Sequence, residues 1–227
     1  MNKDLSSWAA RPLPQRVPLE GFYCRLEPLD PAHHGDSLFA ESMAEGAETR
    51  HRYLFDKVED RVGFDAWMKA KAALADPLFF AVIDRASGRA CGRQALMRVD
   101  ANHGVIEIGN ILWGPSIARS RVATEALFLF ARYAFDTLGY RRFEWKCDNA
   151  NAPSKRAAER FGFTFEGVFR QHMVNKGRNR DTAWFAMLDG EWPALKAGYQ
   201  AWLDPANFDA AGQQKRGLAE CLTAARA

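Results

Sequence analysis

No run of about 18 apolar residues occurs in the chain, so no membrane-spanning helix is expected. The opening "MNKDLSSWAARPLPQRVPLEG" has no long apolar core either, and no secretory signal is expected there. Cysteine is scarce: Cys24, Cys91, Cys147 and Cys221 are scattered, with no C-x-x-C pair and no zinc spacing. This argues against a metal site and for free thiols in a reducing, cytoplasmic setting. Neither sign of charge dominates. With 31 Lys and Arg against 28 Asp and Glu the net charge is +3, too small to argue for nucleic acid. Low-complexity tracts and internal repeats are absent. Glycine is missing from a place where it is often needed: none occurs between Gly114 and Gly139, across the entrance to the longest helix pattern.

What is present is a globular composition, 48% hydrophobic in 227 residues, enough for one domain with a real core and some appendages. Residues 1–20, with Pro12, Pro14 and Pro18, read as an extended arm. A strand at 22–29 is followed by Asp30-Pro31, an N-cap and a first-turn proline opening a helix over about 31–44. "HRYLFDKV" (51–58) is a loop or short helix, and 60–75 carries a helical apolar period. The runs 78–84, 89–99 and 104–114 are joined by short turns and form an antiparallel meander. A helix over 123–138 ends at Gly139 and forces a parallel crossover to the strand 141–148. Asn151 caps the next helix, two strands turn at Lys176-Gly177, and the tail from 191 holds two weak helical stretches. The expected class is α/β (α+β), a mixed and mostly antiparallel central sheet flanked by helices. Neighbouring fourth and fifth strands can splay at the switch and admit a ligand. A domain over 21–190 would carry the 1–20 arm and a 191–227 extension, where a homodimer contact would form.

The glycine-free stretch "IARSRVATEA" (117–126) lies where a strand gives way to that helix. Unsatisfied N–H groups and the helix dipole make such a start an anion site without any special side chain. Arg119 and Arg121 can add charge-assisted bonds. The alternative is two solvated arginines at a helix entrance.

Glu107-Ile108-Gly109, Ala123-Thr124-Glu125-Ala126, Asn151-Ala152-Pro153-Ser154 and Gly162-Phe163 together resemble the GNAT acyltransferase superfamily. The branch is that of the Rim-type ribosomal-protein N-terminal acetyltransferases, and order and spacing are similar over about 20–190. The resemblance implies acetyl-CoA as co-substrate and direct transfer of an acetyl group to a primary amine. The amine belongs to a small molecule or a protein N-terminus. The cofactor would lie on the fourth strand (Ile111, Leu112, Trp113), with its pyrophosphate on Arg119, Ser120, Arg121, Val122, Ala123 and Thr124. The pantetheine would lie in the splay, with Asn151 and Ser154 at its edge, and N–H groups near Ile111–Leu112 would polarise the thioester carbonyl. Two departures stand out. The family's Gln/Arg-x-x-Gly-x-Gly/Ala motif falls on Ala118, Arg121 and Ala123, so only the last position matches. The tyrosine that many relatives use as acid aligns with Ala158.

An ammonium has no lone pair, so transfer to an amine needs a base. Glu107 is the first candidate, from its place on the fourth strand; a carboxylate facing solvent or salt-bridged to an arginine is the plainer meaning. Glu144, Asp148 and His172 are weaker candidates, and Cys147 reads as a buried thiol rather than a nucleophile. Tyr53, Phe55 and Trp67, with His172, are candidates for the acceptor pocket, or else ordinary aromatics of the interior. The basic turn 176–181 suits an acidic acceptor or is a solvated hairpin tip, with Asp181 pairing to Arg178 or Arg180. A GNAT-like module that binds acyl-CoA without turnover is the second reading.

Overall fold

The computed structural model describes residues 4–56 and 60–226; positions 57–59 lie outside it, and with them the end of the 51–58 segment. The sheet strands are β1 (Leu19–Glu20), β2 (Cys24–Pro28), β3 (Leu78–Asp84), β4 (Ala90–Asp100), β5 (Val105–Trp113), β6 (Arg142–Asp148), β7 (Thr164–Asn175) and β8 (Arg178–Leu188). The helices are α1 (Pro31–Met43), α2 (Ala47–His51), α3 (Arg61–Ala72), α4 (Arg121–Arg132), α5 (Ala152–Arg160), α6 (Trp192–Leu203) and α7 (Leu218–Ala224). The strands form one sheet in the order β1-β2-β3-β4-β5-β6-β8-β7. Every neighbouring pair is antiparallel except β5 and β6.

Strand β3 shows why the sheet is central. Its residues alternate between two cores: Leu78, Phe80 and Val82 pack with α4, while Phe79, Ala81 and Ile83 join Leu38, Phe64 and Trp67 of α1 and α3. A strand covered on both faces reads as an unbroken apolar run. Helix α4 is buried from Val122 through Ala131 and is the spine of the larger core.

Several sequence expectations need correction. The helix read as continuous to 138 leaves the α form at Tyr133, where a π turn runs to Thr137 before Gly139 (φ +68°) ends it. The arm is not merely extended. Leu19–Glu20 pairs with β2, and the Trp8 indole donates to the Asn102 carbonyl at 2.7 Å. Beside these differences, α6 of the expected extension packs on α4 and the π turn: Tyr199 stacks on Phe128 at 5.3 Å and Trp192 on Phe135 at 5.1 Å. No helix among the described residues is long and apolar enough to cross a membrane, and no acidic, His or Cys cluster among them could hold a metal.

Candidate active site

The parallel pair β5–β6 is hydrogen-bonded only from Val105↔Arg142 to Ile108↔Trp145, although both strands continue. Beyond that point they part. The cause lies on the other side of β5. Register with β4 jumps from Ala95↔Gly109 to Arg93↔Leu112, so β5 carries one extra residue. Asn110 takes a left-handed conformation there (φ +52°), and a bulge of this kind bends its strand. Arg93, 2% exposed, holds the bulge by donating to the Asn110 carbonyl at 2.7 Å, with its guanidinium 4.3 Å from the Trp67 ring. Burial lowers the Arg93 pKa to about 10.

Two cavities meet at this parting. The larger, about 1030 Å³, is walled by Ile111, Leu112 and Trp113 of β5 and by Arg119, Ser120, Arg121, Ala123 and Thr124 at the start of α4. Asn151 and Ser154 of the α5 entrance and Trp202, Phe208 and Gln214 of the tail complete it. Among the described residues its wall holds Arg50, Arg119, Arg121, Arg156 and Arg160, and no carboxylate. The α4 start presents unpaired backbone donors to this cavity. Ser120 is the N-cap, its hydroxyl donates to the Ile117 carbonyl at 2.6 Å, and it accepts the Ala123 N–H. The N–H groups of Arg121 and Val122, at the first two helical positions, have no helical carbonyl to bond. Arg119 adopts φ +61°, a glycine-like conformation reached without glycine.

Arg160 was not singled out by the sequence. It reaches Thr124 Oγ1 at 3.3 Å, packs on the Phe161 and Trp202 rings, and pairs with no carboxylate among the described residues. Burial pushes its pKa down. Arg121 leans toward the tail instead, its guanidinium 4.5 Å from the Tyr23 ring and 5.3 Å from the Phe208 ring. The Val122 side chain is buried and lines a different cavity, beside Tyr23, rather than the larger one.

The smaller cavity, about 360 Å³, is bounded by Tyr53, Phe55, Glu107, Asp148 and Arg180, and shares Arg50, Ile111, Trp145, Asn151 and Ser154 with the larger. Its roof is fixed from two sides: the Tyr53 hydroxyl donates to the Ala150 carbonyl at 3.1 Å, and Lys176 to the His51 carbonyl at 2.9 Å. Glu107 is 2% exposed. Arg98 donates to both its oxygens, at 2.9 and 2.8 Å, and Lys146 lies 3.0 Å from Oε2. Lys146 also pairs with Glu144 at 2.6 Å and sits 3.8 Å from the Trp184 ring centroid. Glu107 and Glu144 are direct partners in the β5–β6 register, which explains why a lysine stands between them.

The remaining sequence candidates fall elsewhere. Trp67 lines neither cavity; it belongs to the smaller core, with its indole on Asp56 at 2.9 Å. His172 bonds Thr182 Oγ1 at 2.9 Å on the outer hairpin, and it too lines neither cavity. Glu144 is buried in its ion pairs with Arg142 and Lys146. Cys147 lines the smaller cavity, but burial pushes its thiol pKa up, against a nucleophilic role. Asp181 accepts from the Gln171 N–H and the Asn179 amide rather than from an arginine. Ala158 is fully buried, so that position offers no acid. Arg50, Arg98, Lys146, Arg156, Arg160, Trp202 and Phe208 line these cavities without having been expected there, whereas Arg180 belongs to the basic turn 176–181 read as suited to an acidic acceptor. Arg156 and Arg160 had a signal, an i,i+4 pair on the helix that Asn151 opens.

The sheet thus parts beside a helix start whose cavity wall is rich in arginine. The family model described as acetyltransferase (GNAT) domain matches residues 24–164, and the chain belongs to the GNAT acetyltransferase family. A GCN5-related N-acetyltransferase from Brucella melitensis is 61% identical, over 96% of this chain and 100% of that one, with a TM-score of 0.95. The uncharacterized N-acetyltransferase p20 of Bacillus licheniformis is 29% identical over 117 residues, which is 50% of this chain and 63% of that protein's length. RimL, a ribosomal L7/L12 alpha-N-protein acetyltransferase, shares the fold at 18% identity and a TM-score of 0.65, over 76% of this chain and 94% of that one.

Proposed function

We propose that this chain transfers the acetyl group of acetyl-CoA directly to the primary amine of a small molecule. One observation carries this reading. The two cavities meet where β5 and β6 part, with arginines and no carboxylate on one side and Glu107 on the other. The larger cavity fits the cofactor, because an unpaired cationic wall at a helix start suits its phosphates. Arg119, Arg160 and the first N–H groups of α4 would hold them, and Trp202 and Phe208 would wall the nucleotide end. We read 21–190 as the catalytic unit, with the 191–227 extension supplying that wall.

Bound acetyl-CoA supplies a thioester carbon open to attack by an amine. The chain does the rest. N–H groups just past the bulge, near Ile111 and Leu112, polarise the carbonyl oxygen. Glu107 receives the proton that the amine gives up, directly or through a water. Ser154 accepts from the Trp145 indole at 3.0 Å and hydrogen-bonds the Cys147 thiol, so the departing sulfur leaves as a thiolate. The carbon–nitrogen bond forms, the carbon–sulfur bond breaks, and the proton moves from nitrogen to the carboxylate.

The test is thiol release from acetyl-CoA across an amine library, with products read by mass. Tight acetyl-CoA binding with no thiol release from any amine would favour the binding module, which the Arg119 and Arg121 replacements and Ala158 motivate. Affinity for nucleic acid that falls steeply with salt would count against both readings. Arg160→Ala should weaken acetyl-CoA by roughly tenfold or more, the effect of one charge-assisted hydrogen bond. Calorimetric titration of the variant checks this, and an unchanged affinity would remove Arg160 from the phosphate site.

A further inference from the structure

The acceptor cavity holds more positive charge than its own acids neutralise. Four cations stand on its wall: Arg50, Arg98, Lys146 and Arg180. Three are committed. Arg98 and Lys146 hold Glu107, and Arg50 donates to the carbonyls of Ala44 and Glu45. Arg180 is not committed. It is 6% exposed, its Nε is buried with no hydrogen-bond partner, and its guanidinium makes no ion pair with a described carboxylate. Its guanidinium carbon lies 4.9 Å from the Phe55 ring. Asp148, the other acid on this wall, uses Oδ1 for the Ala150 N–H and lies beyond ion-pair distance.

A buried guanidinium without a partner is costly, and it persists where a ligand completes it. Burial pushes the Arg180 pKa down, and the charges of Asp148 and Glu107, felt without an ion pair, offset this only in part. Its position is rigid. Arg180 pairs with Met173 in the β7–β8 ladder, and the hairpin tip is pinned to His51 through Lys176.

We propose that Arg180 anchors a carboxylate of the acceptor, so that the acceptor is a small amine that also bears a carboxylate, as an α-amino acid does. The planar fork of arginine matches the two oxygens of a carboxylate. The cavity, about 360 Å³, suits a molecule of that size, and Leu54, Phe55, Met97 and Ile108 offer an apolar wall to its side chain. The inference rests on the acetyltransferase reading for the identity of the site.

The test uses the full chain saturated with coenzyme A, so that binding is read without turnover. N-acetyl-glycine, N-acetyl-leucine and N-acetyl-phenylalanine are titrated against their uncharged amides. At least one acid should bind about tenfold or more tighter than its amide, the usual effect of a hydrogen bond to a charged group. R180Q should abolish that preference, R180K should restore part of it, and both variants should still bind coenzyme A. Equal affinity for acid and amide in every pair, no binding by any of the six, or a preference that survives in R180Q would overturn the proposal. A kinetic arm compares free amino acids with the amines that lack their carboxylate, and with a peptide N-terminus. If the uncharged amine or the peptide is the better acceptor, the carboxylate anchor falls and the acetyltransferase reading stands. If no amine releases thiol while the acid still binds through Arg180, the acetyltransferase reading falls and the anchor stands.

Discussion

Glu107→Gln is expected to lower kcat by about 10²- to 10⁴-fold near neutral pH, the usual effect of losing a positioned base. Affinity for acetyl-CoA should stay near the wild-type value, because Glu107 lines the smaller cavity and not the larger. The loss has two sources that must be separated. Glu107 is also the centre of an ion-pair chain, held by Arg98 and Lys146. The amide keeps the shape and loses the charge. Lys146 retains Glu144, and the Arg98 side chain is 40% exposed, so water takes up part of the difference. The stability loss should therefore fall below the roughly 3–5 kcal/mol of a fully buried broken pair. A melting curve measures that part. The pH–rate profile measures the other, because loss of a group that accepts the amine's proton changes the profile and loss of a purely positioning carboxylate does not. A slower variant with the wild-type profile would mean that Glu107 only holds Arg98 and Lys146 in place, and the base would have to be sought at Asp148.

Much of the scaffold was legible, because its signals are local. Asp30-Pro31 caps α1, and the cap is seen in the bonds from Ala32 and His33 to Asp30. The turn at Lys176-Gly177 takes positive φ at both residues, as a two-residue hairpin requires. The parallel crossover follows from a long helix between two strands. The larger cavity was partly legible because backbone groups build it. What the sequence could not reveal depends on distant pairings. Arg93 reaches a bulge 17 residues away in the chain. Arg180 looks like a hairpin-tip residue until the hairpin folds over the 51–56 segment. Trp202 and Phe208 lie in a tail with a weak helical signal, and they reach the larger cavity only because α6 packs on α4. Trp67 shows the reverse error. Its aromatic character suited a pocket, yet the helical period of α3 turns it into the smaller core.

Glu125→Ala should destabilise the fold by about 3–5 kcal/mol, the largest loss expected from a single substitution outside the apolar core. Glu125 is the acid of the "ATEA" stretch, 4% exposed, and its role is structural. It accepts the N–H groups of Phe22, Tyr23 and Cys24 at 2.8, 2.7 and 2.7 Å, tying the β1–β2 turn to the N-terminal half of α4. A Cβ on Gly21 would come within 2.5 Å of this carboxylate, so glycine is required beside it. Alanine leaves three donors without an acceptor, each a desolvated polar group. For a chain of this size the melting temperature should fall by roughly 6–20 °C. Glutamine is a sharper probe. It keeps one acceptor oxygen but sets its NH₂ against a backbone N–H, so its loss should be intermediate. The effect should also reach the cofactor. The turn carries Tyr23, whose ring supports the Arg121 guanidinium at 4.5 Å, and Arg121 in turn packs on Phe208 of the cavity wall. Acetyl-CoA should therefore bind more weakly to the alanine variant even below its melting transition. A melting temperature within about 2 °C of wild type, less than 1 kcal/mol for a chain of this size, would show that water replaces the carboxylate at that turn.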